Sequence, residues 1–170
     1  NADLALIDNH DIEVAKANFK LLPGYEVNLF AQEPMLANPI HMTWDARGRL
    51  WVACSWAYPQ LKPGEVADDK IIILEDTDGD GKADKSTVFA DQFNKPADGI
   101  GAGVLVRGED VYFTCIPSLW KLRDADGDAV ADEVEALSSG YGVHIALRGH
   151  DLHGLRFGPD GRLYFSVGDR

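Results

Sequence analysis

The sequence predicts an all-β protein, because three similar hairpin patterns follow one another and a helical pattern is confined to the first residues. Each pattern is a short apolar strand, a polar turn with a glycine, and a second strand that carries an aromatic residue. The three copies are residues 44–52, 105–113 and 157–165. Because no helices alternate with these strands, the strands within each copy are expected to be antiparallel.

The spacing of the hairpins indicates a longer repeat. The aligned positions Leu50, Val111 and Leu163 lie 61 and 52 residues apart. Repeats of roughly 50 residues with several short strands are typical of β-propeller blades. About three blades fit in this chain, whereas a closed propeller needs about four or more. We therefore predict an incomplete β-propeller over residues 25–170, in a chain that is a fragment of a longer protein.

The first 24 residues form a separate lead-in. A helix is predicted over residues 11–19, and it should end before the Leu-Pro-Gly sequence at 22–24. It is expected to pack outside the sheets. Residues 25–30 alternate between polar and apolar side chains and are predicted to form a strand.

Composition excludes several classes of function. The 170 residues carry a formal net charge of −12, and 45% of them are hydrophobic, which suits a folded domain. So acidic a chain is poorly suited to binding nucleic acid or an anionic membrane surface. The longest apolar runs are a few residues, too short for a transmembrane helix. Cations, small molecules and other proteins remain as partners.

Much of the acidity lies in two stretches, residues 76–84 and 124–132, which share the pattern D-x-D-G-D-x-x-x-D. Calcium takes about six to eight oxygen ligands, and alternate residues of a tight loop can supply them. The flanking sequences are β-rich, so the stretches are expected to be calcium loops in a β-protein. Two solvated acidic turns are the alternative. The predicted metal ligands are Asp76, Asp78, Asp80, the Lys82 carbonyl and Asp84, and then Asp124, Asp126, Asp128, the Val130 carbonyl, Asp132 and Glu135.

Each loop departs from the full EF-hand-like pattern at one position. Thr87 stands at the twelfth position of the first loop, where a bidentate carboxylate is usual. Ala129 stands at the sixth position of the second loop, where a positive φ favours glycine, as at Gly81 in the first.

The histidines at 144, 150 and 153 are the candidates for proton transfer near neutral pH. A neutral imidazole can accept the hydroxyl proton when a hydride leaves an alcohol carbon. His150 and His153 are three residues apart, so on a regular strand they would face opposite ways. Arg148 and Arg156 are candidates for binding an anionic quinone or an acidic sugar. The alternatives are loop histidines that bond to the backbone, surface arginines, and a zinc site.

Two further features have structural interpretations. Cys54 and Cys115 occupy equivalent places in the hairpin repeat. Buried free thiols are the expected state, and a disulfide is the alternative. The glycine-rich sequence at 99–103 follows no βα pattern, so it does not predict a nucleotide-binding loop.

At several points the sequence resembles a known family. The matching parts are the hairpin at 44–52, the acidic stretch with its approach at 74–84, the second acidic stretch at 122–128, and residues 152–161. They resemble the β-propellers called membrane-bound dehydrogenases or PVC-type haem-binding proteins. The resemblance implies an exported protein, periplasmic or extracellular, that works with a cytochrome c domain. The C-x-x-C-H haem motif is absent from this chain, so no haem is expected in it.

More distantly, residues 158–169 resemble the soluble glucose/sorbosone dehydrogenases. Those proteins are six-bladed propellers that use pyrroloquinoline quinone (PQQ), with a histidine before the G-P-D hairpin as the general base. The resemblance places His150 at that position, and His153 is the second candidate.

Two functions of different classes follow from the sequence. One is an oxidoreductase, a quinone-dependent sugar or alcohol dehydrogenase whose electrons pass to a haem c domain. The other is a non-catalytic, calcium-stabilised propeller that binds a carbohydrate or a protein.

Overall fold

A computed structural model describes residues 12–59, 61–62, 64–142 and 152–168. This part of the chain is all-β, as predicted, with one short helix, α1 (Ile12–Ala17), and ten strands. The strands are β1 (Pro39–Trp44), β2 (Leu50–Ser55), β3 (Asp69–Glu75), β4 (Lys85–Phe93), β5 (Gly101–Arg107), β6 (Asp110–Cys115), β7 (Ser118–Arg123), β8 (Glu133–Ser139), β9 (Leu152–Phe157) and β10 (Leu163–Val167).

The strands form three open antiparallel sheets. The first has the order β1-β2-β3-β4, the second has the order β5-β6-β7-β8, and β9 pairs with β10. The hairpin patterns predicted from the sequence are β1–β2, β5–β6 and β9–β10, so all three are confirmed. Strands that are neighbours in each four-stranded sheet are consecutive in the chain. The connections between them range from the two residues between β6 and β7 to the 13 residues between β2 and β3.

The first strand of each sheet packs beside that of the next, β1 beside β5 and β5 beside β9. The largest apolar core lies between the first two sheets, where Trp51 and Phe89 meet edge to face with ring centroids 4.7 Å apart. A second core lies between the second and third sheets and includes Leu119 and Leu155. The sheets are therefore stacked layers whose faces are buried against one another.

The segment before β1 differs in part from the sequence prediction. The helix is present but short, and none of its side chains is buried. Residues 25–30 form no strand, so that prediction was wrong. Instead the Phe30 carbonyl accepts the Ala83 N–H at 2.7 Å, and the Phe30 ring meets Trp44 at 5.1 Å. The alternation of polar and apolar residues at 25–30 arises because one side of this segment packs onto the first sheet. The segment itself pairs with no strand among the described residues.

Three alternate glycines explain how closely β5 packs. A Cβ on Gly99 would lie 2.2 Å from the Ile116 side chain, and one on Gly101 would lie 2.4 Å from the Phe113 ring. At Gly103 the same atom would lie 2.7 Å from Thr114 Oγ1. The glycine-rich sequence at 99–103 thus allows neighbouring side chains to pack directly against the backbone.

Both cysteines, Cys54 and Cys115, are buried free thiols, as expected. Among the residues that the structure describes, no helix is long and apolar enough to cross a membrane.

Candidate functional sites

The two acidic stretches occupy the same place in the two four-stranded sheets. The first joins β3 to β4, and the second joins β7 to β8. The first aspartate of each loop, Asp76 or Asp124, accepts backbone N–H groups from the residues three and five places later. These distances are 2.7 and 2.9 Å in both loops. The shared sequence pattern therefore produces one shared loop geometry.

These hydrogen bonds favour the ionised carboxylates. The Gly81 N–H is the main cause of the lowered pKa of Asp76. At Asp124, partial desolvation opposes ionisation, but the N–H groups of Ala129 and Gly127 outweigh it and lower the pKa. Both loops thus present a charged carboxylate at neutral pH, which a hard cation requires.

Each loop brings three aspartates together, with one oxygen from each lying within 4.8 Å of the others. The first triad is Asp76, Asp78 and Asp84, and the second is Asp124, Asp126 and Asp128. Carboxylate oxygens at this separation fit a calcium ion, which has metal–oxygen distances of about 2.3–2.6 Å. Three carboxylates leave coordination positions for carbonyl or water oxygens. The donor set therefore suits calcium.

The other predicted ligands take different roles among the described contacts. Asp80 accepts the Lys82 N–H at 2.8 Å, and the Lys82 ammonium lies 3.8 Å from it. Asp132 accepts the Ala125 N–H at 2.8 Å. Val130 is exposed, and its N–H donates to Asp128. Glu135 lies in β8 opposite Lys121, outside the second triad.

The sixth residue of each acidic loop has a left-handed backbone conformation. Gly81 has a φ of 84°, and Ala129 has a φ of 69°. An alanine in this left-handed region is strained by its Cβ. The second loop therefore keeps the shared geometry despite the residue that the sequence marks as unfavourable.

Each acidic loop is also hydrogen-bonded to a part of the chain that precedes its own sheet. The Ala83 N–H donates to the Phe30 carbonyl at 2.7 Å, and the Ala131 N–H donates to the Phe89 carbonyl at 2.8 Å. The two alanines stand at the same position of their loops. A cation bound in the second loop would therefore rigidify a contact between two sheets, and one bound in the first loop would rigidify a contact between the first sheet and the segment before it.

Of the residues predicted for proton chemistry, His153 and Arg156 lie in β9. His150, Arg148 and His144 lie outside the described residues. The ladder shifts by one residue around Gly154, where φ is 75°, so that His153 pairs with Ser166 and Arg156 with Tyr164. This bulge places His153 and Arg156 on one face of the strand, while Leu155 is buried on the other.

His41 in β1 is a residue that sequence reasoning missed. It belongs to a set of three residues at equivalent positions in the three hairpins. His41 pairs with Ala53 in the first hairpin, Gly103 pairs with Thr114 in the second, and His153 pairs with Ser166 in the third. Gly103 lies between the two histidines. A Cβ on Gly103 would lie 3.8 Å from the Cα atom of His153, and the backbone N–H of Val104 donates to Nδ1 of His41 at 3.3 Å. The register shift of β9 falls at a different step from those of β1 and β5, and the hairpin turns differ in length, so spacing in the sequence does not show this alignment.

The environment of His41 keeps its imidazole neutral. Burial lowers its pKa most, and the nearby charges of Arg156 and His153 lower it further. With Nδ1 accepting a backbone N–H, the neutral ring carries its proton on Nε2 and can donate from there. Arg156 has no ion pair within the part of the chain that the structure describes. The strands β1, β5 and β9, which lie side by side, are called the inner strands. They thus bring two imidazoles and a guanidinium close together.

A buried polar group lies at the opposite end of the sheets from the acidic loops. Asp69 begins β3 beside Ser55, and both are fully buried. Burial raises the pKa of Asp69 to about 6. Its Oδ2 lies 3.7 Å from the Cys115 thiol, which donates to the Gly99 carbonyl at 2.9 Å, while its Oδ1 has no hydrogen-bond partner among the described groups.

The fold and the sites define a layered, all-β antiparallel protein with repeated acidic loops. The chain belongs to the family described as domain of unknown function (DUF7133), whose model matches residues 11–170. No curated protein and no solved structure matches the chain.

Proposed function

We propose that the chain is the calcium-binding part of a β-propeller, in which each acidic loop holds one ion and fastens its blade to the part of the chain that precedes it. The repetition of one loop geometry in two sheets carries the proposal. The stacked four-stranded meanders, with β1, β5 and β9 side by side, support the propeller architecture. The two aspartate triads support the metal.

Calcium titration of the intact protein, by calorimetry and by thermal melting, tests this function. We expect two ions to bind, and about 2.7 kcal/mol of stabilisation per site at a free calcium concentration of about 100 times Kd. The variants Asp78→Asn and Asp126→Asn should each lose one ion. Asp91→Asn, an exposed aspartate of β4 outside both loops, is the matched control. Unchanged melting in chelator would contradict the proposal.

The second candidate is a quinone-dependent sugar or alcohol dehydrogenase of the periplasm or cell exterior. The grouping of His41, His153 and Arg156 on the inner strands favours it. In this function His153, or His150 as the resemblance implies, accepts the substrate hydroxyl proton. Arg156, with Arg148, binds the carboxylates of the quinone. PQQ when bound would accept the hydride, and a cytochrome c domain or protein would then take the electrons.

Dye reduction with added PQQ, calcium and a panel of sugars tests the second candidate in the intact protein. His150→Gln and His153→Gln should lower kcat, and Arg156→Gln should weaken the binding of PQQ. Arg162→Gln, an exposed turn residue, is the control for the arginine. If no quinone binds, the non-catalytic alternative stands: a calcium-stabilised propeller that binds a carbohydrate or a protein.

A further inference from the structure

A cleft of about 610 Å³ opens between the first two sheets, at the end where the acidic loops lie. Its sides are the β1–β2 turn, the β5–β6 turn and the second acidic loop. Its floor consists of core side chains, among them Trp51, Ile73 and Phe89. A volume of this size lies within the range of small-molecule sites.

One side of the cleft carries an exposed tryptophan and a basic group. Trp44 is 54% exposed although it ends a strand of the sheet. Arg47 is exposed in the turn that follows, and its guanidinium has no ion pair among the described side chains. Arg49 differs, because its Nε lies 2.7 Å from Asp45. Arg47 is therefore the cation of the cleft that remains available to a ligand.

The other side of the cleft is acidic. Glu109 lies in the β5–β6 turn, and Asp124 and Asp126 belong to the second triad. Without a cation these carboxylates outnumber the available guanidinium and repel an anion. A divalent ion in the second loop offsets two of the four aspartate charges of that loop, and its open coordination positions would lie beside the cleft.

We propose that this cleft binds an acidic saccharide, with the sugar ring on Trp44 and the carboxylate between Arg47 and a calcium ion in the second loop. An exposed indole offers a flat apolar surface to a sugar ring, and a guanidinium binds a carboxylate through two parallel hydrogen bonds. The inference rests on the proposed calcium function and adds a ligand class to it. It also makes saccharide binding depend on the second loop and independent of the first.

Calorimetric titration of the intact protein with trigalacturonate tests the proposal, with free calcium held constant by a calcium buffer. The neutral trisaccharide maltotriose is the comparison ligand. We expect trigalacturonate to bind in calcium and not in chelator, and maltotriose to bind at least about tenfold more weakly. Arg47→Ala and Trp44→Ala should each weaken trigalacturonate binding by about tenfold or more.

Matched control variants distinguish binding in the cleft from binding elsewhere on the surface. Arg162→Ala removes an exposed arginine of the third hairpin, which stands at the position of Arg49, and Trp56→Ala removes a tryptophan that is 57% exposed outside the cleft. Both should leave the Kd of trigalacturonate within about twofold. Asp126→Asn should abolish trigalacturonate binding, whereas Asp78→Asn should lose its calcium ion and keep the saccharide.

The outcomes distinguish the two proposals. Calcium uptake without trigalacturonate binding overturns the cleft proposal and leaves the proposed calcium function standing. Equal effects of Arg47→Ala and Arg162→Ala, or equal binding in chelator, also overturn the cleft proposal. Absence of calcium uptake overturns the calcium function, and with it the saccharide site as described.

Discussion

At the residue scale, Ala129 shows how a local conformation is imposed by its surroundings. Its N–H bond to Asp124 and the turn around it hold φ at 69°, the region that Gly81 occupies in the first loop. The sequence indicated this conflict, because the aligned loop has a glycine there. Only the structure shows that the loop retains its geometry at the cost of strain.

We expect Ala129→Gly to raise the free energy of unfolding by about 1 kcal/mol, because it relieves a left-handed alanine. The reciprocal change, Gly81→Ala, should lower it by a similar amount or more, since the new Cβ would lie 3.2 Å from Asn28 Nδ2. Chemical denaturation of both variants in chelator measures these effects without the contribution of calcium. Changes of the same sign in the two variants would contradict the interpretation.

The buried carboxyl of Asp69 predicts a pH dependence. Its pKa of about 6 lies above the ordinary value of 3.8, so the folded state holds the proton more tightly than the unfolded state. Its contribution to stability is therefore fully present below about pH 4 and is lost as the pH rises through about 6. The difference between the pKa values of Asp69 in the folded and unfolded states corresponds to roughly 3 kcal/mol in the free energy of unfolding.

Asp69→Asn should remove this dependence, because the amide does not ionise. The stability of the variant relative to the parent should increase by about 3 kcal/mol between pH 4 and pH 7.5, measured by urea denaturation. Asp68→Asn, at the half-exposed neighbouring position, controls for the loss of a negative charge nearby. A constant difference between parent and Asp69→Asn over this range would refute the assignment.

At the element scale, β5 depends on the absence of side chains at alternate positions. Its two glycines admit Phe113 and Thr114 against the backbone, and Gly99, just before the strand, admits Ile116. The sequence showed the glycines and excluded a βα nucleotide loop. It did not show the reason for them, because the side chains that fill the space come from β6 and the turn that follows it.

We expect Gly101→Ala to destabilise the protein by about 2 kcal/mol, since the new Cβ would overlap the Phe113 ring. The double variant Gly101→Ala with Phe113→Leu should be more stable than the sum of the single effects predicts, because the smaller side chain relieves the overlap. Thermal and chemical denaturation of the three variants measure the coupling. Strict additivity would show that the two residues do not compete for one space.

At the scale of the whole molecule, the acidic loops lie in two different layers, and no hydrogen bond or ion pair joins them among the described residues. Filling both with divalent ions would reduce the formal net charge from −12 to −8. Each loop fastens its own layer to the preceding segment, through Phe30 or Phe89. The stabilisation by calcium should therefore divide between independent sites.

We expect the losses of calcium-dependent stabilisation in Asp78→Asn and Asp126→Asn to add in the double variant to within about 0.5 kcal/mol. Melting curves at saturating calcium and in chelator give the four values that this comparison needs. A double variant that loses much less than the sum of the single effects would place both aspartates at one shared ion.

The sequence by itself determined what is local in this protein: the hairpins, recognisable from period and turn residues, and the acidic loops, recognisable from eight aspartates at fixed spacing. Both depend on contacts within about ten residues, so pattern suffices to predict them. The tertiary structure decided what crosses layers. The register shift in β9 brings His153 level with His41 in β1, and the cleft brings Arg47 opposite Asp124. Those pairings arise when separate sheets bury their apolar faces against each other, and no spacing along the chain records them.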